Sequence, residues 1–293
     1  MNTVNTNLSV HKLRSERKSG FTLVELLVVV ALIAILGSIL LPALHQSRQR
    51  AHAIFCLNNT RQLVMAWDLY STDNNGRLAY NLGGTGDRGL TGLPRTYANW
   101  VNNILTWDLQ SDNTNTATII DASLGLYTAR SAKIYRCPID DTLSAIQASR
   151  GWKGRIRSYS MNAMIGDAGE VSRTGVNVNN SHYVQFFNMA SIREPSDIFV
   201  FIEEHPDSIN DGYFLNKAYT KTWIDLPASR HNNAASLAFA DGHAELHQWV
   251  NETTRRPEEP DGAGLPFEIP KTAEPNYLAD NNWVIQHMSE KRD

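Results

Sequence analysis

The segment 21–44 constrains this chain more than any other part of its sequence. As an α-helix its 24 residues reach about 36 Å, enough to cross a bilayer core of about 30 Å. Sixteen of them are Phe, Leu, Ile or Val, and Glu25, near one end, is the only charge. Each apolar residue favours insertion by about 0.3–0.6 kcal/mol near the bilayer centre, so together they outweigh the few kcal/mol that one carboxylate costs. Lys12, Arg14, Arg17 and Lys18 precede the run against a single acid, Glu16. The positive-inside rule therefore predicts a cytoplasmic leader and an extracytoplasmic remainder. A secretory signal is cut after its apolar core, at a small-residue site. Here the residue of that kind, Gly20, stands before the core. A cut there removes the basic leader, residues 1–20, and leaves the membrane segment on the mature chain.

The run Gly20-Phe21-Thr22-Leu23-Val24-Glu25-Leu26-Leu27 resembles the cleavage and methylation signal of type IV prepilins and type II secretion pseudopilins. The likeness covers roughly the first 50 residues. It implies that a membrane prepilin peptidase cuts after Gly20 and methylates the new N-terminus, Phe21, with S-adenosylmethionine. Glu25 resembles the glutamate that neutralises the N-terminal amine of a neighbouring subunit during assembly. The plain alternative is an interfacial carboxylate reaching the membrane surface. Pro42, 22 residues beyond Gly20, stands where pilins often carry a helix-bending proline.

Without the leader the net charge falls from −3 to about −6, and no basic stripe remains, which argues against a nucleic-acid partner. About 250 residues follow the membrane segment, enough for one large domain or two small ones. The helix is expected to continue as an amphipathic extension over 45–72, because Ala53, Cys56, Thr60, Leu63, Trp67 and Tyr70 share one helical face. Asp73-Asn74-Asn75-Gly76 supplies turn residues that stop it. Residues 76–115 read as long surface loops in which Trp100, Ile104 and Trp107 give something to bury. Strand-like runs follow at 183–187, 197–203, 236–240 and 244–250. A helix followed by strands predicts an α+β fold, a pilin-like long helix packed on an antiparallel sheet. The soluble domain is expected at 73–250, with a Pro-rich charged tail of little regular structure at 251–293.

Cys56 and Cys137 are the only cysteines. In an oxidising compartment they allow one intramolecular disulfide, worth on the order of 4 kcal/mol in the chain-entropy model. Two free buried thiols are the alternative. Neither lies in a CxxC pair, which argues against a thiolate metal site.

Towards the C-terminus, Arg230-His231 is followed after nine residues by Asp241-Gly242-His243. Asp241-Gly242 lies between two strand-like runs and fits a tight hairpin turn. The pattern resembles the C-terminal signature, His, nine residues, Asp-Gly, of a large prepilin-like family. The segments around Cys56, Cys137 and Ser158 to Asn162 fit that family more loosely. His231 bonded to Asp241 would latch the strand to its turn, while His231, Asp241 and His243 together could offer metal ligands or an acid–base pair. The acidic stretch 203–212 could offer Glu203, Glu204, Asp207 and Asp211 to calcium, as in some pseudopilins, or be a solvated loop.

The resemblance implies a non-enzymatic structural subunit of a type IV pilus or type II secretion pseudopilus. Its partners would be the prepilin peptidase, other pilin or pseudopilin subunits and the bacterial inner membrane. A second reading is a membrane-anchored module that binds a ligand or glycan through the Trp, Tyr and Asn of 75–115. A third is an extracytoplasmic metal enzyme built on His231, Asp241 and His243.

Overall fold

The computed structural model describes residues 21–83, 99–260, 264–271 and 275–292. Gly20 and the leader lie outside the described residues, as do parts of the 76–115 and C-terminal segments. The chain divides into a first unit ending at Ser47 and a second beginning at Arg48.

Helix α1, Leu23–Asp73, begins in the first unit. Its segment Leu23–Leu41 has a mean hydropathy of 2.9 and no buried share. At 1.5 Å per residue it reaches about 28 Å, so its length and composition suffice to cross a membrane. The backbone is helical through Pro42, where a bend was expected, but the side chain of Pro42 is outside the described set.

The rest of α1 belongs to the second unit. Ala53, Cys56, Thr60, Leu63 and Trp67 are buried and Tyr70 half-buried, while Arg48, Arg50, Arg61 and Asp68 are exposed. The helix ends at Asp73, and Gly76, at a φ of 80°, carries the turn that follows.

Two short helices follow, α2 (Ala117–Ile120) and α3 (Ala145–Ser149). The strands come next: β1 (Tyr159–Asn162), β2 (Phe199–Glu203), β3 (Tyr213–Phe214), β4 (Thr222–Trp223), β5 (Ala234–Phe239), β6 (Ala244–Gln248) and β7 (Phe267–Glu268). Helix α4, Ala279–Met288, closes the order. Five strands form one sheet in the order β3-β1-β2-β5-β6, in which every pairing is antiparallel except the parallel β1–β3 edge; β4 and β7 pair separately. The architecture is α+β.

The sheet carries two apolar layers. One joins Leu63, Val64 and Trp67 of α1 to Met161, Val200, Phe201 and Ala238. The other joins Phe199, Ile202, Leu237 and Phe239 to Trp249, Val284 and Met288. Strands covered on both faces need apolar residues on both, which is why β2 and β5 are buried along their whole length rather than alternating. Phe199 and Phe201 are two residues apart yet enter different layers, because a register shift lies between them and turns the strand over.

Two expectations are corrected. Residues 183–187 form no strand; they make isolated bridges, Ile165 with Phe186 and Tyr183 with Lys291. The segment 251–293, expected as a tail of little regular structure, holds more of it than that. It contains β7 and α4, whose Val284 and Met288 are buried in the second layer. The carboxylate of Asp280 in α4 accepts hydrogen bonds from the backbone N–H groups of Val250 (3.1 Å) and Asn251 (2.9 Å), tying the helix to the end of β6.

Candidate functional site

The N-terminal end of α1 is built by the sequence Thr-x-x-Glu. Thr22 N–H (2.9 Å) and Thr22 Oγ1 (2.8 Å) both donate to Glu25 Oε2, while Glu25 N–H donates back to Thr22 Oγ1 at 3.3 Å. This reciprocal pattern is a capping box, which satisfies backbone donors that a helix start leaves open. It also folds the Glu25 carboxylate back onto Thr22, the residue next to Phe21. The one charge in the apolar run is therefore held beside the N-terminus that a cut after Gly20 would create.

In the second unit, Cys56 on the buried face of α1 forms a disulfide with Cys137, with Cα atoms 5.2 Å apart. Beside it lies a buried polar cluster. The Arg230 guanidinium stands 2.8 Å from Asp140 Oδ1, 3.2 Å from Glu203 Oε1 and 2.9 Å from Glu258 Oε1. Burial works against its charge, but the three carboxylates outweigh burial and raise its pKa. His231 Nε2 is 3.1 Å from Glu203 Oε2 and 3.5 Å from Cys137 Sγ. Glu203 is fully buried, which alone would raise its pKa; the hydrogen bond from His231 and the charges of His231 and Arg230 reverse the sign and hold it below the usual carboxylate range. Among the described residues, Cys56, Cys137, Glu203 and His231 form the one group of three or more such side chains whose ligand atoms lie within 4.8 Å of one another.

Several sequence expectations change here. His231 is not bonded to Asp241. They flank opposite ends of β5, and six extended residues separate them by about 20 Å. Asp241 Oδ1 instead pairs with His243 Nδ1 at 2.6 Å on the exposed hairpin turn, where Gly242 has a φ of 91°. Ala238 and Ala244 form the last pair before that turn. The trio His231, Asp241 and His243 therefore does not assemble.

The acidic stretch is neither a solvated loop nor a convergent calcium cage. Glu203 faces Arg230 and His231. Glu204 is buried, and desolvation pushes its pKa up despite nearby Ser160, Ser208 and Arg157. Asp207 Oδ2 accepts from Glu259 N–H at 2.9 Å, and Asp211 Oδ1 accepts from Tyr213 N–H at 2.8 Å. Trp100 is not a binding surface either. It is fully buried, with ring centroids 6.3 Å from Tyr135 and 5.2 Å from Phe201, while the half-buried Trp107 lies under the Arg155 guanidinium at 3.9 Å.

Sequence reasoning missed Arg230, Asp140 and Glu258 as one cluster, and Glu203 as the partner of His231. The signal present was the apolar run of β2 closing on an acid, Glu203, with a second acid, Glu204, directly after it, which apolar burial alone does not explain.

The apolar N-terminal helix with its capped glutamate lies in the part of the chain that resembles known proteins. Residues 16–41 match the family described as the Prokaryotic N-terminal methylation motif. Among particular relatives, the chain is 43% identical over 56 residues to the type IV wide pilus major component PilA4 of Thermus thermophilus, covering 19% of this chain and 43% of that one. It is 35% identical over 63 residues to the type II secretion system core protein G of Aeromonas hydrophila, covering 22% and 44%. To the protein of the same name from Pectobacterium carotovorum subsp. carotovorum it is 34% identical over 59 residues, covering 20% and 38%. The chain spans less than half the length of these curated relatives. No solved structure matches it.

Proposed function

We propose that this chain is a non-enzymatic subunit of a type IV pilus or type II secretion pseudopilus. It is held in the inner membrane by α1, which stays on the mature chain when a prepilin peptidase cuts after Gly20 and methylates Phe21, and it leaves the membrane on assembly. The observation that carries this reading is the methylation motif at residues 16–41, with Glu25 capped towards the helix start. Relatives named as a pilus component and as secretion-system core proteins support the same class. Once the leader is gone, the α-amine of Phe21 carries a positive charge beside a macrodipole end that is itself positive. A carboxylate held nearby offsets both in a low-dielectric surrounding, and a neighbouring subunit's amine is offset in the same way. The soluble unit from Arg48 then stands outside the cytoplasm, as the basic leader requires.

Intact mass and N-terminal sequencing of protein recovered from its native membrane test the reading. The expected mature chain starts at methylated Phe21. Gly20→Val is expected to leave the precursor uncut, and Glu25→Ala to be cut but not assembled. An intact leader in the presence of an active prepilin peptidase would sink the proposal.

A further inference from the structure

We propose that, when its cysteines are reduced, this chain holds a single zinc ion between Cys56, Cys137, His231 and Glu203. These residues lie far apart in sequence, yet α1, the segment after Ser131, the end of β2 and the turn before β5 bring them to one buried point. Their ligand atoms all fall within 4.8 Å of one another and all four residues are buried. Two thiolates, an imidazole and a carboxylate make a donor set that suits zinc, which prefers four ligands in a tetrahedron. Zn–S of about 2.3 Å and Zn–N or Zn–O of about 2.0–2.1 Å require an S···N edge of about 3.5 Å and an N···O edge of about 3.3 Å. The structure holds the Cys137 Sγ···His231 Nε2 edge at 3.5 Å and the His231 Nε2···Glu203 Oε2 edge at 3.1 Å.

The surroundings fit a closed structural site. Arg230 holds the other carboxylate oxygen, Glu203 Oε1, at 3.2 Å, fixing which oxygen faces the sulfurs. Two thiolates and one carboxylate around Zn²⁺ leave a net charge of −1, two units less negative than the same three groups without the metal.

The disulfide and the zinc site exclude one another, because the same two sulfurs serve both. A dithiol reductant opens the bridge by exchange: the S–S bond breaks, two electrons pass to the cysteine sulfurs, and the reductant closes its own disulfide. Zinc then displaces one proton from each thiol as the two Zn–S bonds form. A newly exported chain, its thiols not yet oxidised, reaches the same state without a reductant. Zinc would thus hold α1 to the sheet before the covalent bridge does.

The test uses the full-length protein in detergent, reduced with a phosphine and stripped with EDTA, beside its oxidised form. Both are titrated with Co²⁺ and then Zn²⁺. The reduced form is expected to bind a single ion per chain, with the strong visible bands of tetrahedral cobalt and a thiolate-to-metal charge-transfer band. Zinc bleaches both, and the oxidised form shows neither. Glu203→Gln and His231→Gln, with both thiols intact, are expected to weaken binding by at least about tenfold. Should either variant not fold, X-ray absorption on zinc-loaded wild-type protein reads the shell directly, and two sulfur with two nitrogen or oxygen ligands are expected. No stoichiometric binding by the reduced protein overturns the proposal. So does an octahedral cobalt spectrum, a different ligand shell, or folded variants that bind as wild type does.

Discussion

Replacing Arg230 by methionine is expected to destabilise the second unit by about 3–5 kcal/mol. The guanidinium is 8% exposed and lies within 3.2 Å of three carboxylates, of which Glu203 and Asp140 are 0% and 5% exposed. Methionine fills most of the volume but takes from those two buried acids the guanidinium they share, leaving Glu203 with His231 and Asp140 with the Ser158 hydroxyl and the field of Arg155. Removing one partner of a buried pair costs about 3–5 kcal/mol, far above the 0–1 kcal/mol of an exposed pair. For a unit of this size that corresponds to a fall of roughly 6–20 °C in Tm. The assay is urea denaturation of the detergent-solubilised protein followed by tryptophan fluorescence, since guanidinium chloride would screen the interaction being measured. A second substitution separates charge from packing. With Glu203→Gln added, one of those charges disappears, and the double variant is expected to regain about 1–3 kcal/mol relative to Arg230→Met alone. If Arg230→Met costs under about 1 kcal/mol, or the double variant is less stable than the single one, the buried-charge argument is wrong.

Three further outcomes follow from the same packing and charges. Cys56→Ala with Cys137→Ala removes a bridge across a sequence separation of 81 residues, and non-reducing urea denaturation is expected to show a loss of about 4 kcal/mol. Trp67→Ala in the core face of α1 is expected to cost about 3–5 kcal/mol, whereas Met65→Ala, 54% exposed in the same turn, is expected to stay within about 0.5 kcal/mol by the same denaturation. His247 packs against Trp249 and Trp283, near His287, Asp280 and Glu245; burial, against the pull of Asp280, lowers its pKa to about 4. A depressed folded pKa gives stability that is present above the unfolded value of about 6.5 and is lost as the pH falls towards 4. Discounting for partial exposure, the loss is about 1 kcal/mol, and His247→Phe is expected to flatten that part of the stability–pH curve.

The parts legible in the sequence are those whose signals are local. A 24-residue apolar run and a stripe of six residues at spacings of three and four each report on one helix, whatever else the chain does. Asp241-Gly242 marks its hairpin because a tight turn needs a positive φ within two residues. What the sequence hid depends on chain segments that meet only after folding. Glu203 finds His231 and Ser236 because β2 lies beside β5, with Ile202 opposite Leu237. No short-range pattern records that register. Helix α4 was hidden for another reason. Its sequence, ADNNWVIQHM, carries a weak apolar face, and it sits after a Pro-rich stretch; packing on the sheet, rather than intrinsic propensity, makes it a helix.

The His231 and Asp241 pair shows how a correct spacing can suggest a wrong contact. The sequence places a strand at 236–240 inside the nine-residue interval, and the expected bond from His231 to Asp241 would latch that strand to its turn. In the structure the nine residues are a turn through Asn232 and Asn233, both at positive φ, then the six residues of β5, then Ala240. A strand of fixed length separates its ends as firmly as a loop would join them. The spacing therefore measures β5, with one marked residue at each end. His231 ties the buried end to Glu203 and the Cys137 sulfur, while Asp241 and Gly242 form the turn at the exposed end. A change of one residue in that interval would move Leu237 and Phe239 to the opposite face or pull His231 away from Glu203. The constraint on the spacing thus follows from sheet register and from the buried cluster together, and it needs no direct bond between the two residues.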